Sequence, residues 1–99
     1  MSTSTATRRA QLVHTFMPEG RLLRLPGKFA KRALLLEHVA DRFEPGRYYP
    51  EGEMDAILVA LTEGGEADHV TLRRYLVDHG LLAREDGVYW RTGGWVAGT

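Results

Sequence analysis

Asp86-Gly87 separates two short runs, Leu81-Leu82-Ala83-Arg84-Glu85 and Val88-Tyr89-Trp90-Arg91-Thr92. A two-residue hairpin turn needs positive φ at both central positions, which an Asp-Gly pair accepts, so this stretch predicts a tight β-hairpin. With that turn Ala83 opposes Trp90 and Arg84 opposes Tyr89. The 99 residues (11.1 kDa) suit one domain rather than two independent cores, and 43% hydrophobic with 26% charged residues is a globular balance.

Upstream of the hairpin the apolar positions fall at helical spacing. Phe29, Ala33, Leu36, Ala40 and Phe43 recur every three or four residues and Leu35 and Val39 widen the stripe, predicting a helix over 28–43 that Glu44-Pro45-Gly46 ends. Tyr48-Tyr49 follows as a candidate short strand. A second helix is expected from Pro50 at its first position, with Glu51, Glu53 and Asp55 near the positive end of the helix dipole and Met54, Ile57, Leu58 and Leu61 inward. After the loop 62–67, Asp68 suits the N-cap of a third helix to His79, with Leu72, Tyr75 and Leu76 inward and Gly80 just past its end. Residues 1–15 read as a flexible tail, although Ala10, Val13, Phe16 and Met17 allow a short helix over 8–17 before Pro18. Arg21 to Leu25 reads as a short edge strand stopped by Pro26-Gly27. The domain is expected over 16–94, with a second tail over 95–99 whose Trp95 could pack back on the domain.

Several chemistries are excluded or disfavoured. Without cysteine there is no disulfide, no thiolate nucleophile and no cysteine zinc site. His38, His69 and His79 lack the spacing of a metal motif, and serine occurs only at positions 2 and 4, so neither a metal, a cofactor nor a catalytic site is expected. Glu51, Glu53 and Asp55 sit at alternate positions, about 200° apart on a helix, which reads as helix-start carboxylates rather than a catalytic pair. No apolar run approaches the roughly 20 residues that span a bilayer, and Arg8-Arg9 is not followed by a signal-peptide core, so no membrane association and a cytoplasmic location are expected.

Charge is balanced in sum and unbalanced in place. Thirteen Lys/Arg offset thirteen Asp/Glu, yet residues 1–47 hold nine cations against four acids and residues 48–99 hold four against nine. Arg21, Arg24, Lys28, Lys31 and Arg32 form a cluster with no acid between them. Lys28 and Lys31 also oppose the helix dipole in a first turn, which either an anion site or an ion pair to the acidic half would explain.

Strand, helix, short strand, two helices and a hairpin is the order of a winged helix-turn-helix: an α+β fold with three main helices, a C-terminal β-hairpin wing and a short N-terminal strand. Its third helix can enter a major groove and present His69, Thr71, Arg73, Arg74 and Asp78. Adjacent arginines differ by about 100° around a helix, so one of the pair is expected to hold a carboxylate such as Asp68 or Asp78. Arg84 and Arg91 are the cations of the wing, while its tip, Glu85-Asp86-Gly87, would be repelled by phosphate. Tyr75, Tyr89 and Trp90 suit either base stacking or the core.

Gly20-Arg21-Leu22, Leu25-Pro26, Lys31-Arg32, Arg42-Phe43-Glu44-Pro45-Gly46-Arg47, Tyr49, Ile57-Leu58, Leu72-Arg73-Arg74-Tyr75-Leu76-Val77-Asp78, Gly80 and Tyr89-Trp90-Arg91 together resemble an uncharacterised bacterial family, domain of unknown function 2087. The likeness runs from about Phe16 to Gly94. It implies a winged-helix-like fold and a link to transcription, without an established activity. This chain differs in carrying Glu53-Met54-Asp55 where the family usually has Glu-Val-Asn, and in a longer, acidic, Gly-rich loop before Asp68; both add negative charge.

Two readings follow. In the first, a nucleic-acid-binding or transcription-associated protein contacts double-stranded DNA through Arg73 and Arg74 in the groove and Arg21, Arg24, Lys28, Lys31 and Arg32 on the backbone. In the second, the fold serves as a protein-interaction or dimerisation module, binding itself or another regulatory protein; zero net charge and six acids without a base from Glu51 to Asp68 favour this.

Overall fold

In the computed structural model, which describes residues 5–92, the two runs around Asp86-Gly87 pair antiparallel as β2 (Leu82–Glu85) and β3 (Val88–Arg91). Asp86 has φ 52° and Gly87 φ 76°, and the register sets Ala83 against Trp90 and Arg84 against Tyr89, as the turn chemistry requires. Tyr48-Tyr49 becomes β1 (Tyr48–Pro50), which pairs with the other edge of β3, giving a three-stranded antiparallel sheet of order β1-β3-β2. Tyr49 and Tyr89 are cross-strand partners, and both are buried.

Among the described residues the fold is α+β with four helices, where three main helices were expected. The additional one, α1 (Thr5–Phe16), realises the spacing of Ala10 to Met17 and begins three residues before Arg8, so that 5–7 are helical; Leu12, Val13 and Phe16 pack against the core beside buried Met17. The next helix, α2 (Phe29–Ala40), is shorter than expected. Its inward stripe nevertheless reaches Phe43, because Arg42 and Phe43 donate backbone hydrogen bonds to Val39 and Ala40 in a tighter turn that keeps Phe43 buried. Phe29 departs from the predicted stripe: it opens the helix beyond the reach of the core and is 67% exposed.

Pro50 is the N-cap rather than the first residue of α3 (Glu51–Thr62), whose Met54, Leu58 and Leu61 are buried while Ile57 is half-buried. Asp68 caps α4 (His69–Asp78), with its carboxylate accepting from the Thr71 amide at 3.3 Å, and Gly80 takes φ 73° beyond the helix end. Leu72 and Leu76 complete the core from α4.

Arg21 to Leu25 is not a strand. Its backbone finds partners at element ends instead of in a ladder: Leu22 donates to the carbonyl of Leu61 (2.6 Å), Leu23 donates to that of Phe16 (2.8 Å), and Leu23 in turn accepts from Glu66 and Ala67. A Cβ at Gly65 would stand 2.5 Å from the Leu22 carbonyl oxygen, so the loop before Asp68 can close over this segment only with glycine there. No helix among the described residues is long and apolar enough to cross a membrane. Trp95 and the 95–99 tail lie outside the described residues.

Candidate nucleic-acid interface

The two arginines of α4 part company. Arg73 turns toward α3, where Nη1 lies 2.5 Å from Asp55 Oδ1, and its guanidinium also covers the ring of Tyr89 at 5.9 Å. The hydrogen bond to Asp55 holds the Arg73 pKa above its ordinary value. Its partner is thus on the neighbouring helix, not Asp68 or Asp78 on its own. Arg74 is exposed, pairs with no carboxylate among the described residues, and lies 5.8 Å from the ring of Tyr75.

Thr71 is engaged at the helix start, its hydroxyl 3.2 Å from the Asp68 carboxylate. His69 is half-buried beside the same acid, with Nδ1 3.8 Å away.

The basic cluster of residues 21–32 divides among several surroundings. Arg21 reaches Glu63 at 3.7 Å, and Arg24 lies over the ring of Phe16. Lys31 is exposed beside Arg8, Gln11 and Thr15 of α1. Lys28 is exposed at the start of α2.

Arg32 faces α4. Its guanidinium stands 4.5 Å from the ring centre of Tyr75 and 5.8 Å from that of Phe29, and Nη1 donates to the Gly27 carbonyl at 3.0 Å. Nε donates to Nε2 of His79 at 3.3 Å. Phe29 stacks on His79, its ring 4.5 Å from the imidazole and only 18° from parallel. A ring nitrogen can accept from a guanidinium only when unprotonated. Burial, and then the charge of Arg32, lower the His79 pKa, which agrees with that geometry.

The hairpin cations also differ. Arg91 is turned inward, with Nη1 donating to the Phe43 carbonyl at 3.2 Å and Nη2 to Asp41 at 2.9 Å, while Nε is buried without an acceptor among the described residues. Asp41 accepts from Arg9 of α1 as well. Arg84 stays exposed, 3.8 Å from Glu51 and over the ring of Tyr89 at 5.6 Å.

Tyr75 therefore joins the two basic regions, since Arg32 of α2 and Arg74 of α4 both approach its ring. Sequence reasoning weighed Tyr75 only for stacking or burial, placed Phe29 in the core, and considered His79 only as a metal ligand. The i, i+4 spacing of Tyr75 and His79 was the available signal, because it puts both rings on one side of the helix. Their partners come from α2, more than forty positions away.

No curated protein and no solved structure matches this chain. The sequence pattern of one family, described as uncharacterized protein conserved in bacteria (DUF2087), matches residues 21–91, from the start of the basic cluster to the last residue of β3. With most of its length inside that match, the chain belongs to the bacterial family of domain of unknown function 2087.

Proposed function

We propose that α2 through β3 form a winged-helix-like unit that binds duplex nucleic acid, with α4 as the groove-facing helix and the β2-β3 hairpin as the wing. The order α2-β1-α3-α4-β2-β3, with β1 beside β3, supports that assignment. The observation that carries the reading is the approach of Arg32 and Arg74 to one ring, Tyr75, which makes the outer side of α4 continuous with the start of α2. One duplex can touch both.

In this reading Arg74 contacts a base edge or a phosphate, Lys28 and Arg32 hold the backbone on one side, and Arg84 holds it on the wing side. Arg73 keeps Nη1 on Asp55 and Arg91 stays with Asp41, so neither reads a base edge. The acidic tip Glu85-Asp86 directs contact to the sides of the wing.

Fluorescence anisotropy with mixed-sequence duplex DNA at low salt tests the proposal. Micromolar binding is expected, with log affinity falling against log salt at a slope of about −3 to −4 if four cations meet phosphates. Arg74→Ala should weaken binding while leaving the thermal melt unchanged. An absence of binding at micromolar protein removes the reading.

A second reading, a protein-interaction or dimerisation module, is favoured by one specific observation. Arg9, Arg21, Arg47, Arg73, Arg84 and Arg91 all lie within ion-pair distance of the chain's own carboxylates, which diminishes the field a polyanion would meet. Light scattering at low and high salt discriminates: a strictly monomeric species argues against self-association.

A further inference from the structure

On the flank of α4 that faces the hairpin lies a cleft of about 330 Å³, lined by Arg73, Arg74, Arg84, Asp78 and Tyr89, with valines of α4 between them. Its size falls in the range of small-ligand pockets. Its lining is mainly basic, three arginines against one acid, Asp78. Among the described residues Arg74 has no carboxylate partner, Arg84 stands 3.8 Å from Glu51, and Arg73 commits only Nη1 to Asp55. A guanidinium carries five N–H donors, so three of them leave many donors without protein acceptors. Tyr89, in the cleft wall, is 1% exposed, and its buried hydroxyl has no hydrogen-bond partner among the described residues. A polar atom left so deep is an exception among folded proteins and asks for an explanation.

We propose that this cleft binds a phosphate group. Donors spread over three guanidiniums from two elements call for an acceptor with more than the two oxygens of a carboxylate, and a tetrahedral phosphate presents three or four. Asp78 is the one acid in the lining, and it faces Arg74 one turn away on the same helix. Its charge opposes an anion in the cleft and sets a limit on affinity. The phosphate can be a free phosphate or a duplex backbone phosphodiester; only the latter rests on the nucleic-acid reading above.

The test titrates 15N-labelled protein with inorganic phosphate and, separately, with mixed-sequence duplex DNA, following the amides of Arg73, Arg74, Arg84 and Tyr89 and the arginine Nε–H resonances. Concerted shifts of these groups in either titration are expected. Arg74→Ala, an exposed site, should weaken the response about tenfold, the loss of one charge-assisted contact, and Asp78→Asn should strengthen it. Shifts with inorganic phosphate and no response to duplex keep the cleft and remove the nucleic-acid reading. Duplex binding whose affinity is unchanged by Arg74→Ala and Arg84→Ala, with no phosphate response, overturns the cleft and α4 as the groove-facing helix, and leaves duplex binding through another surface. Phosphate shifts confined to Lys28 and Lys31, or no shift with either probe, also overturn the proposal.

Discussion

Arg73 and Asp55 close the contact between α4 and α3, and in doing so leave Arg74 as the one arginine of the pair that faces solvent. Both partners are partly shielded, so the pair ranks between an exposed bridge and a buried one. Asp55→Ala is expected to cost about 1–2 kcal/mol, or roughly 5–15 °C of melting temperature in a domain of this size. Arg74→Ala should stay within about 0.5 kcal/mol of the parent, as exposed substitutions do. Thermal melts of the two variants side by side check the assignment, and equal losses would contradict it.

His79 makes stability depend on pH. Burial and the Arg32 charge depress its pKa in the folded state, while the unfolded chain protonates near the ordinary value of 6.5. Above that value both states carry a neutral ring and the group contributes nothing to the pH slope. Below it the unfolded chain binds the proton first, so stability falls as pH drops from 6.5 through the lower folded-state value. His38, depressed by burial and by Arg9, acts in the same direction. The urea midpoint should therefore be lower at pH 5.5 than at pH 7.5, and His79→Gln, which keeps an acceptor for Arg32, should reduce that difference.

Two glycines should respond in opposite senses to alanine. Gly65→Ala would drive a methyl group into the Leu22 and Leu23 backbone, with contacts of 2.5 and 2.8 Å to carbonyl oxygens that cannot rotate away. A loss of more than about 2 kcal/mol is expected. Gly52, in the first turn of α3, has open space around its would-be Cβ, and Gly52→Ala should stabilise by about 0.5–1 kcal/mol through the unfolded chain. Chemical denaturation of both variants measures the contrast.

Asp68→Ala removes the side-chain acceptor of the Thr71 amide and hydroxyl. Some stability is expected to go with it. The loss should be visible as a lower melting temperature with α4 fraying first in amide exchange.

Local chemistry made much of this architecture readable. The Asp86-Gly87 turn, the Asp68 cap and the Gly80 stop each depend on one or two residues and their own backbone, and the strand register followed from the turn alone. What depended on a distant partner was not readable. Period and composition could not tell that Leu22 and Leu23 would hydrogen-bond to the ends of α1 and α3 rather than to a strand. Helical spacing correctly required the two arginines of α4 to diverge, yet which one turned inward was decided by Asp55, on another helix. Phe29 fitted the stripe of α2 by number and missed the core by position, because its ring stacks on His79 beyond the end of α4 instead of on the apolar cluster.

Asp41 accepts from Arg9 on α1 and from Arg91 on β3, so one carboxylate at the end of α2 ties together the earliest helix and the latest strand. The family match begins at residue 21, beyond α1. A fragment cut at that boundary would uncover the apolar side of α2 on which Leu12, Val13 and Phe16 rest and would strip Asp41 of one of its two cations. The unit that must be expressed, crystallised or transplanted is accordingly longer than the stretch by which its relatives are recognised.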